Sequence, residues 1–188
     1  MKRINAFALV LLALFISVAT VQSAQGQQAT GDNKDRRIGI GPDVSVYLPL
    51  SAKARDRFGG SWFSIGIGFS KLRDRPNQSE LQPWFNFIYE KSGTSHACLI
   101  PLGAEYRHNF ASSGAITPFA GAGLAYYLTD LRSDGDNVHS GFRSAVGVEA
   151  VGGAYFGKAV YAQGRIHVVT PVKGFNLSGF EISAGVRF

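Results

Sequence analysis

The chain reads as an all-β protein, about eight antiparallel strands in up-and-down order closed into a barrel. Three observations carry that reading. Apolar residues fall on alternate positions in segment after segment, the period of a strand whose two faces meet different surroundings. Turn-forming clusters of Gly, Pro, Asn, Asp and Ser punctuate the segments. The face opposite the apolar one is rich in glycine, at Gly66, Gly68, Gly103, Gly121, Gly123, Gly147 and Gly185. Glycine suits a solvated strand face poorly, but a narrow barrel interior needs small side chains beside large ones.

Taken in order, Lys2 and Arg3 precede an uncharged apolar run at 6–21, and small residues follow through Gly26. This is the pattern of a secretory signal peptide over 1–26, cleaved between 23 and 26. The run falls short of the about 20 residues a membrane helix needs, and no cysteine stands at the junction for a lipid anchor. Residues 27–37 are polar and charged, a flexible periplasmic lead-in. The barrel domain occupies 38–188.

Its first segment, 38–50, aligns Ile38, Ile40, Val44, Val46 and Leu48. The second, 61–70, aligns Phe63, Ile65, Ile67 and Phe69, and the third, 84–91, Phe85, Phe87 and Tyr89. Cys98, Ile100, Leu102, Ala104 and Tyr106 share a face of 97–108; Ile116, Ala120, Ala122, Leu124 and Tyr126 share one of 116–128. Segment 140–151 carries Phe142, Val146 and Val148, and 158–169 carries Val160, Ala162, Ile166 and Val168. The closing segment, 175–188, alternates Phe180, Ile182, Ala184, Val186 and Phe188 with Glu181, Ser183, Gly185 and Arg187. Pro83 and Pro118 are expected at strand starts. Pro101, inside its segment, cannot donate to a ladder, and a bulge there would flip the facing of every residue beyond it.

Alternation alone leaves open which face looks inward. In a soluble, lipocalin-like barrel the apolar face fills the interior; in a membrane barrel it meets lipid and the polar face lines the lumen. The glycine-rich polar face favours the second order. So does the grouping of aromatics towards strand ends: Phe63, Tyr89, Tyr126, Phe142 and Phe180 at one interface, Phe69, Phe85, Tyr106 and Phe188 at the other. The closing strand, ending on Phe188, resembles that of bacterial outer-membrane β-barrels, and 116–127, ITPFAGAGLAYY, resembles the Pro-aromatic-x-Gly-x-Gly strand of small barrels related to outer membrane proteins A and W. The resemblance implies an up-and-down transmembrane barrel in the bacterial outer membrane, exported through the periplasm. It also implies that Phe188 is part of the signal read by the barrel-insertion machinery. Loops at 51–60, 92–96, 129–139 and 170–176 then lie outside the cell, and turns at 71–83, 109–115 and 152–157 face the periplasm.

Parity places Asp43, Glu105, Glu149 and Glu181 inside with Arg107, Arg143, Arg165, Arg187, His167 and Gln163. An isolated charge in a poorly solvated lumen is costly, so acids and arginines are expected to pair, arginine with its bidentate fork. Such a lumen is a packed plug, or, if a pair switches, a gated path. An eight-stranded barrel is filled by side chains, so a wide pore is not expected.

Lys53, Arg55 and Arg57 in the first loop suit lipopolysaccharide phosphates. The formal charge of +6 is spread along an exported chain and excludes a nucleic-acid footprint. One cysteine, Cys98, makes no internal disulfide. His96, His108, His139 and His167 lack metal spacing, and Asp130, Asp134 and Asp136 lack a full calcium-loop pattern. Among outer-membrane barrels are lipid A-modifying enzymes using Ser and His at the rim, but adjacent His139 and Ser140 point to opposite faces of a strand. No catalytic, cofactor or metal residues are assigned and no enzymatic role is expected. The expected protein is a monomeric outer-membrane barrel in contact with lipid and lipopolysaccharide, structural or surface-interacting, with a narrow channel for ions or small hydrophobic molecules as the alternative.

Overall fold

A computed structural model describes residues 39–70, 76–133, 138–139, 141–157 and 159–187. The expected signal peptide, the lead-in, Phe188, Asp134, Asp136 and Ser140 lie outside the described residues.

Eight strands form the wall: β1 (Gly39–Pro49), β2 (Trp62–Ser70), β3 (Gln78–Ser92), β4 (Ser95–Asn109), β5 (Ile116–Ser133), β7 (Arg143–Phe156), β8 (Val160–Val169) and β9 (Gly179–Val186). Each pairs antiparallel with its neighbour in chain order, and β1 pairs with β9 from Asp43↔Gly185 to Pro49↔Gly179, so the sheet closes on itself. The two-residue β6 (Val138–His139) pairs, among the described residues, with Arg132 and Ser133 at the end of β5. The helix α1 (Ala52–Phe58) links β1 to β2.

Register is uniform in every ladder. The anticipated bulge at Pro101 does not occur: Leu99↔Thr129 and Gly103↔Ala125 keep one spacing across it. Towards β3 the pairs pass from Phe85↔Leu102 to Ile88↔Leu99, so the proline leaves a gap in the ladder instead of a slip. Pro118 likewise pairs in register, with Ala154. Parity read from the sequence therefore holds throughout.

Strand lengths differ from expectation. β3 starts at Gln78, six residues before Trp84, and among the described residues its early part pairs only with β4, from Gln78↔Asn109 to Pro83↔Ala104. Pro83 stands at the last position before the β2 ladder begins at Gly68↔Trp84. It is not at the strand start but inside β3, at a position where no β2 partner pairs with it among the described residues, so a missing N–H is tolerated. The loop expected at 92–96 is a tight hairpin closed by Ser92↔Ser95, with Gly93 at φ 60°. β7 runs through the expected turn at 152–157 as far as Phe156.

The expected loop 51–60 is largely helical. Ser51 caps α1 by accepting from the Ala54 N–H at 3.4 Å, and Gly59 ends it at φ 103°, a conformation open to glycine. Only Ala54 and Phe58 of α1 are buried, so the helix lies as a lid with one narrow apolar side turned inward.

Hydrophobicity is inverted relative to a soluble barrel. Leu124, Val146, Val168 and Ile182 are each more than half exposed on the outer wall, while Glu105, Arg107, Glu149, Arg165, His167 and Glu181 are buried inside. Phe63 and Tyr89, assigned to one interface, are direct partners, whereas Phe85 and Tyr126, assigned to opposite interfaces, join through Leu102 in one cross-strand row, so these two do not separate as expected.

Candidate functional site: the barrel lumen

The lumen is filled in tiers from the α1 end downwards. At the top, Phe58 meets Phe175 at 5.1 Å between ring centroids and Trp62 edge-on at 6.3 Å. The Trp62 indole N–H donates to Gly59 O at 2.8 Å. Beneath them Ile88, Leu99, Leu131, Val169 and Leu177 complete one apolar cluster. An aromatic tier follows. Tyr47 donates to Leu177 O, and the Tyr127 hydroxyl and His167 Nδ1 are 2.9 Å apart.

The charged tier lies below. Arg165 is its hub: Nη2 donates to Glu105 Oε2 at 3.0 Å, Nε is 3.4 Å from Glu149 Oε2, and Nη1 is 3.9 Å from Glu181 Oε2. Its guanidinium lies 4.0 Å over the Trp84 ring, and the Trp84 N–H donates to Glu149 Oε1 at 2.6 Å. Glu181 also pairs with His167 Nε2 at 3.0 Å and accepts from Ser45, Ser64 and Asn86. Arg107 is bound to Glu105, donates to Tyr155 at 2.6 Å and Gln163 at 3.0 Å, and lies over Phe119. One cation shared among three carboxylates, each with further donors, is the arrangement that makes buried charge tolerable.

In the lowest tier Tyr161 donates to Asp43 Oδ2 at 2.9 Å, and Arg187 donates to the Tyr155 hydroxyl. A void of ≈ 10 Å³ remains here, bordered by Asp43, Gln82, Arg107 and Arg187. Asp43 Oδ1 and Gln82 Oε1 are buried there without a hydrogen-bond partner. The volume is about what one water molecule needs.

The residues that parity placed inside are thus mostly together: Glu105, Arg107, Glu149, Arg165, His167 and Glu181 in one network, with Asp43 and Arg187 beneath it. Arg143 is the correction. It has the inward parity but stands exposed at the first position of β7, opposite the buried Thr129 and well up the strand from Glu149. Alternation gives the face of a strand, not the height along the barrel. Nor is the pairing four acids to four arginines, since Arg165 alone serves three carboxylates.

Sequence reading missed the inward aromatics Tyr47, Trp62, Trp84, Tyr127, Tyr155 and Tyr161, all buried. The glycines on the same face were the available signal. A Cβ on Gly103 would stand 2.5 Å from the Trp84 indole, and one on Gly185 2.6 Å from the Tyr161 ring. Gly103 and Gly185 are each the seat of a neighbouring large ring. Glu80, also buried, was missed because β3 was started too late.

The first-loop cations are partly engaged by the chain itself. Lys53 Nζ donates to Gly174 O at 3.3 Å and sits over Phe175, and Arg55 Nη1 donates to Pro49 O and Leu50 O. Both remain exposed on the outside of the lid.

No family model matches the chain, and no curated protein matches it. Among solved structures, Neisserial surface protein A superposes with a TM-score of 0.62 at 19% identity, over 80% of this chain and 95% of that one. The outer membrane enzyme PagL gives 0.51 at 15% identity, over 78% and 98%. The fold is that of the small outer-membrane β-barrels. At such identities the likeness is one of architecture, a closed eight-stranded antiparallel wall.

Proposed function

We propose that this protein is an integral outer-membrane barrel with a closed, non-conducting lumen, serving the envelope as a structural and surface-presenting element. The observation that carries the reading is the double closure: an apolar lid of Phe58, Trp62, Phe175 and Leu177 stacked on a charge network centred on Arg165. An ion crossing it would have to part both, and the remaining lower void is only ≈ 10 Å³. An outer wall of Leu, Val and Ile has hydrocarbon as its natural solvent, since water would meet exposed apolar surface on all sides.

The test is conductance in planar bilayers. The wild-type barrel is expected to give no steps, and Glu149→Ala to lower thermal stability without opening one. Regular conductance steps from the wild type would favour the channel reading. Lys53, Arg55 and Arg57, held on the lid at the outer end, supply a contact for lipopolysaccharide phosphates, a point-charge interaction without special geometry. Replacing all three with Gln should reduce lipopolysaccharide co-purification; no change removes that contact.

A further inference from the structure

At the end of the lumen opposite α1, two buried oxygens are left unsatisfied by the chain. Asp43 Oδ2 accepts from Tyr161 at 2.9 Å, but Asp43 Oδ1 and Gln82 Oε1 are buried with no hydrogen-bond partner among the described residues. Gln82 is 6% exposed, and both side chains border the ≈ 10 Å³ void. Glycine keeps the space beside them clear. Gly66 of β2 pairs with Asp43 on one side and Asn86 on the other. A Cβ there would stand 2.7 Å from Asp43 Oδ1 and closer still to Asn86 Oδ1, and one on Gly68 would stand 3.0 Å from Gln82 Nε2. Thus β2 passes the site without an inward side chain. Residues of β1 and β3, which are not neighbours in the sheet, face one void across it.

Burying an acceptor without a donor is costly, and a carboxylate oxygen is costlier than an amide. Charge adds to the demand. Asp43 and Glu80 add two carboxylates to the three around Arg165, whereas Arg107, Arg165, Arg187 and a protonated His167 supply at most four positive charges among the described lumen residues. We propose that this is a binding site for one water-sized occupant that turns positive charge towards oxygen: a monovalent cation such as sodium, or a water molecule. Asp43 Oδ1 and Gln82 Oε1 hold it, with Asn86 Oδ1 alongside. An all-oxygen set suits a hard cation, but it is too small for the full coordination shells of calcium or magnesium. Arg107 and Arg187 also border the void, and both donate to the Tyr155 hydroxyl. The surplus of acid favours the cation over water. Either occupant ties β1 to β3 past β2.

This goes beyond a closed structural barrel and holds whether or not the lumen conducts, because the site lies beneath both closures. The experiment unfolds the barrel with urea in phosphatidylcholine vesicles while sodium chloride is replaced stepwise by choline chloride at constant ionic strength. A bound cation raises the unfolding constant by up to about tenfold for each tenfold fall in sodium. Asp43→Asn should remove that dependence. Crystals of the wild type grown in sodium and in choline buffers separate the two sources. A peak within about 3.2 Å of both oxygens in sodium alone identifies the cation; the same peak in both buffers, with unfolding indifferent to sodium, identifies water. Gln82→Met, which keeps the side-chain length and removes the acceptor, should lose the peak. A retained difference in gel mobility between boiled and unboiled samples verifies that the variants fold. A wild-type crystal with no peak touching both oxygens in either buffer overturns the proposal.

Discussion

Arg165 and Trp84 lie face to face, the guanidinium carbon 4.0 Å from the indole centroid, while the indole N–H holds the same Glu149 that the arginine approaches. The ring screens one side of the cation and orients one of its anions. The contact joins β3, β7 and β8 through the lumen rather than along the wall.

Arg165→Ala should therefore destabilise the barrel by about 3–5 kcal/mol, because it strands buried carboxylates. The measurement is urea unfolding in lipid vesicles. Adding Glu105→Gln to that variant should cost less than the sum of the two single changes, with a coupling of about 0.5–3 kcal/mol, since both belong to one network.

Gly103→Ala should be destabilising although alanine is small, because its Cβ would stand 2.5 Å from the Trp84 ring. The expected loss is about 1–3 kcal/mol from overpacking. A changed tryptophan fluorescence maximum would report displacement of the indole. Gly60→Ala, where nothing lies within 4 Å, is the control and should be silent.

Phe58→Ala should weaken the lid by about 3–5 kcal/mol as the lost ring leaves a cavity among Trp62 and Phe175. Conductance should stay absent, because the charge network beneath remains in place. Limited proteolysis at the loop around α1 should become faster.

Leu124→Arg tests the inverted wall. Leu124 is 69% exposed on the outer face of β5. If hydrocarbon covers it, an arginine near the membrane midplane costs about 2–4 kcal/mol. In water the same change would be nearly free. Vesicle unfolding midpoints decide between the two.

Much of this was legible in the sequence because the side-chain period of a strand is two and the ladders carry no bulge, so one parity ran correctly from β1 to β9. Even Pro101 could not shift it, since the wall absorbed the missing donor as a ladder gap. What alternation could not give was height, which is why Arg143 was placed with the buried charges it stands above. Helix α1 was hidden because only Ala54 and Phe58 face inward, too few to register as helical periodicity. The inward rings were hidden by scale: Trp84 is seated on Gly103 and Tyr161 on Gly185, each glycine its ladder partner on the neighbouring strand, and no local window joins the two members of either pair.

The seam between β1 and β9 has a consequence for how the chain comes to be folded. Its pairs join residues more than a hundred positions apart, such as Asp43 and Gly185. Ring closure there carries a large loop entropy and contributes to slow, high-contact-order folding. Until β9 arrives, the free edge of β1 presents unpaired backbone groups to any other strand nearby. The nascent barrel is therefore most prone to association with a foreign edge during assembly, a hazard that ends when the seam shuts.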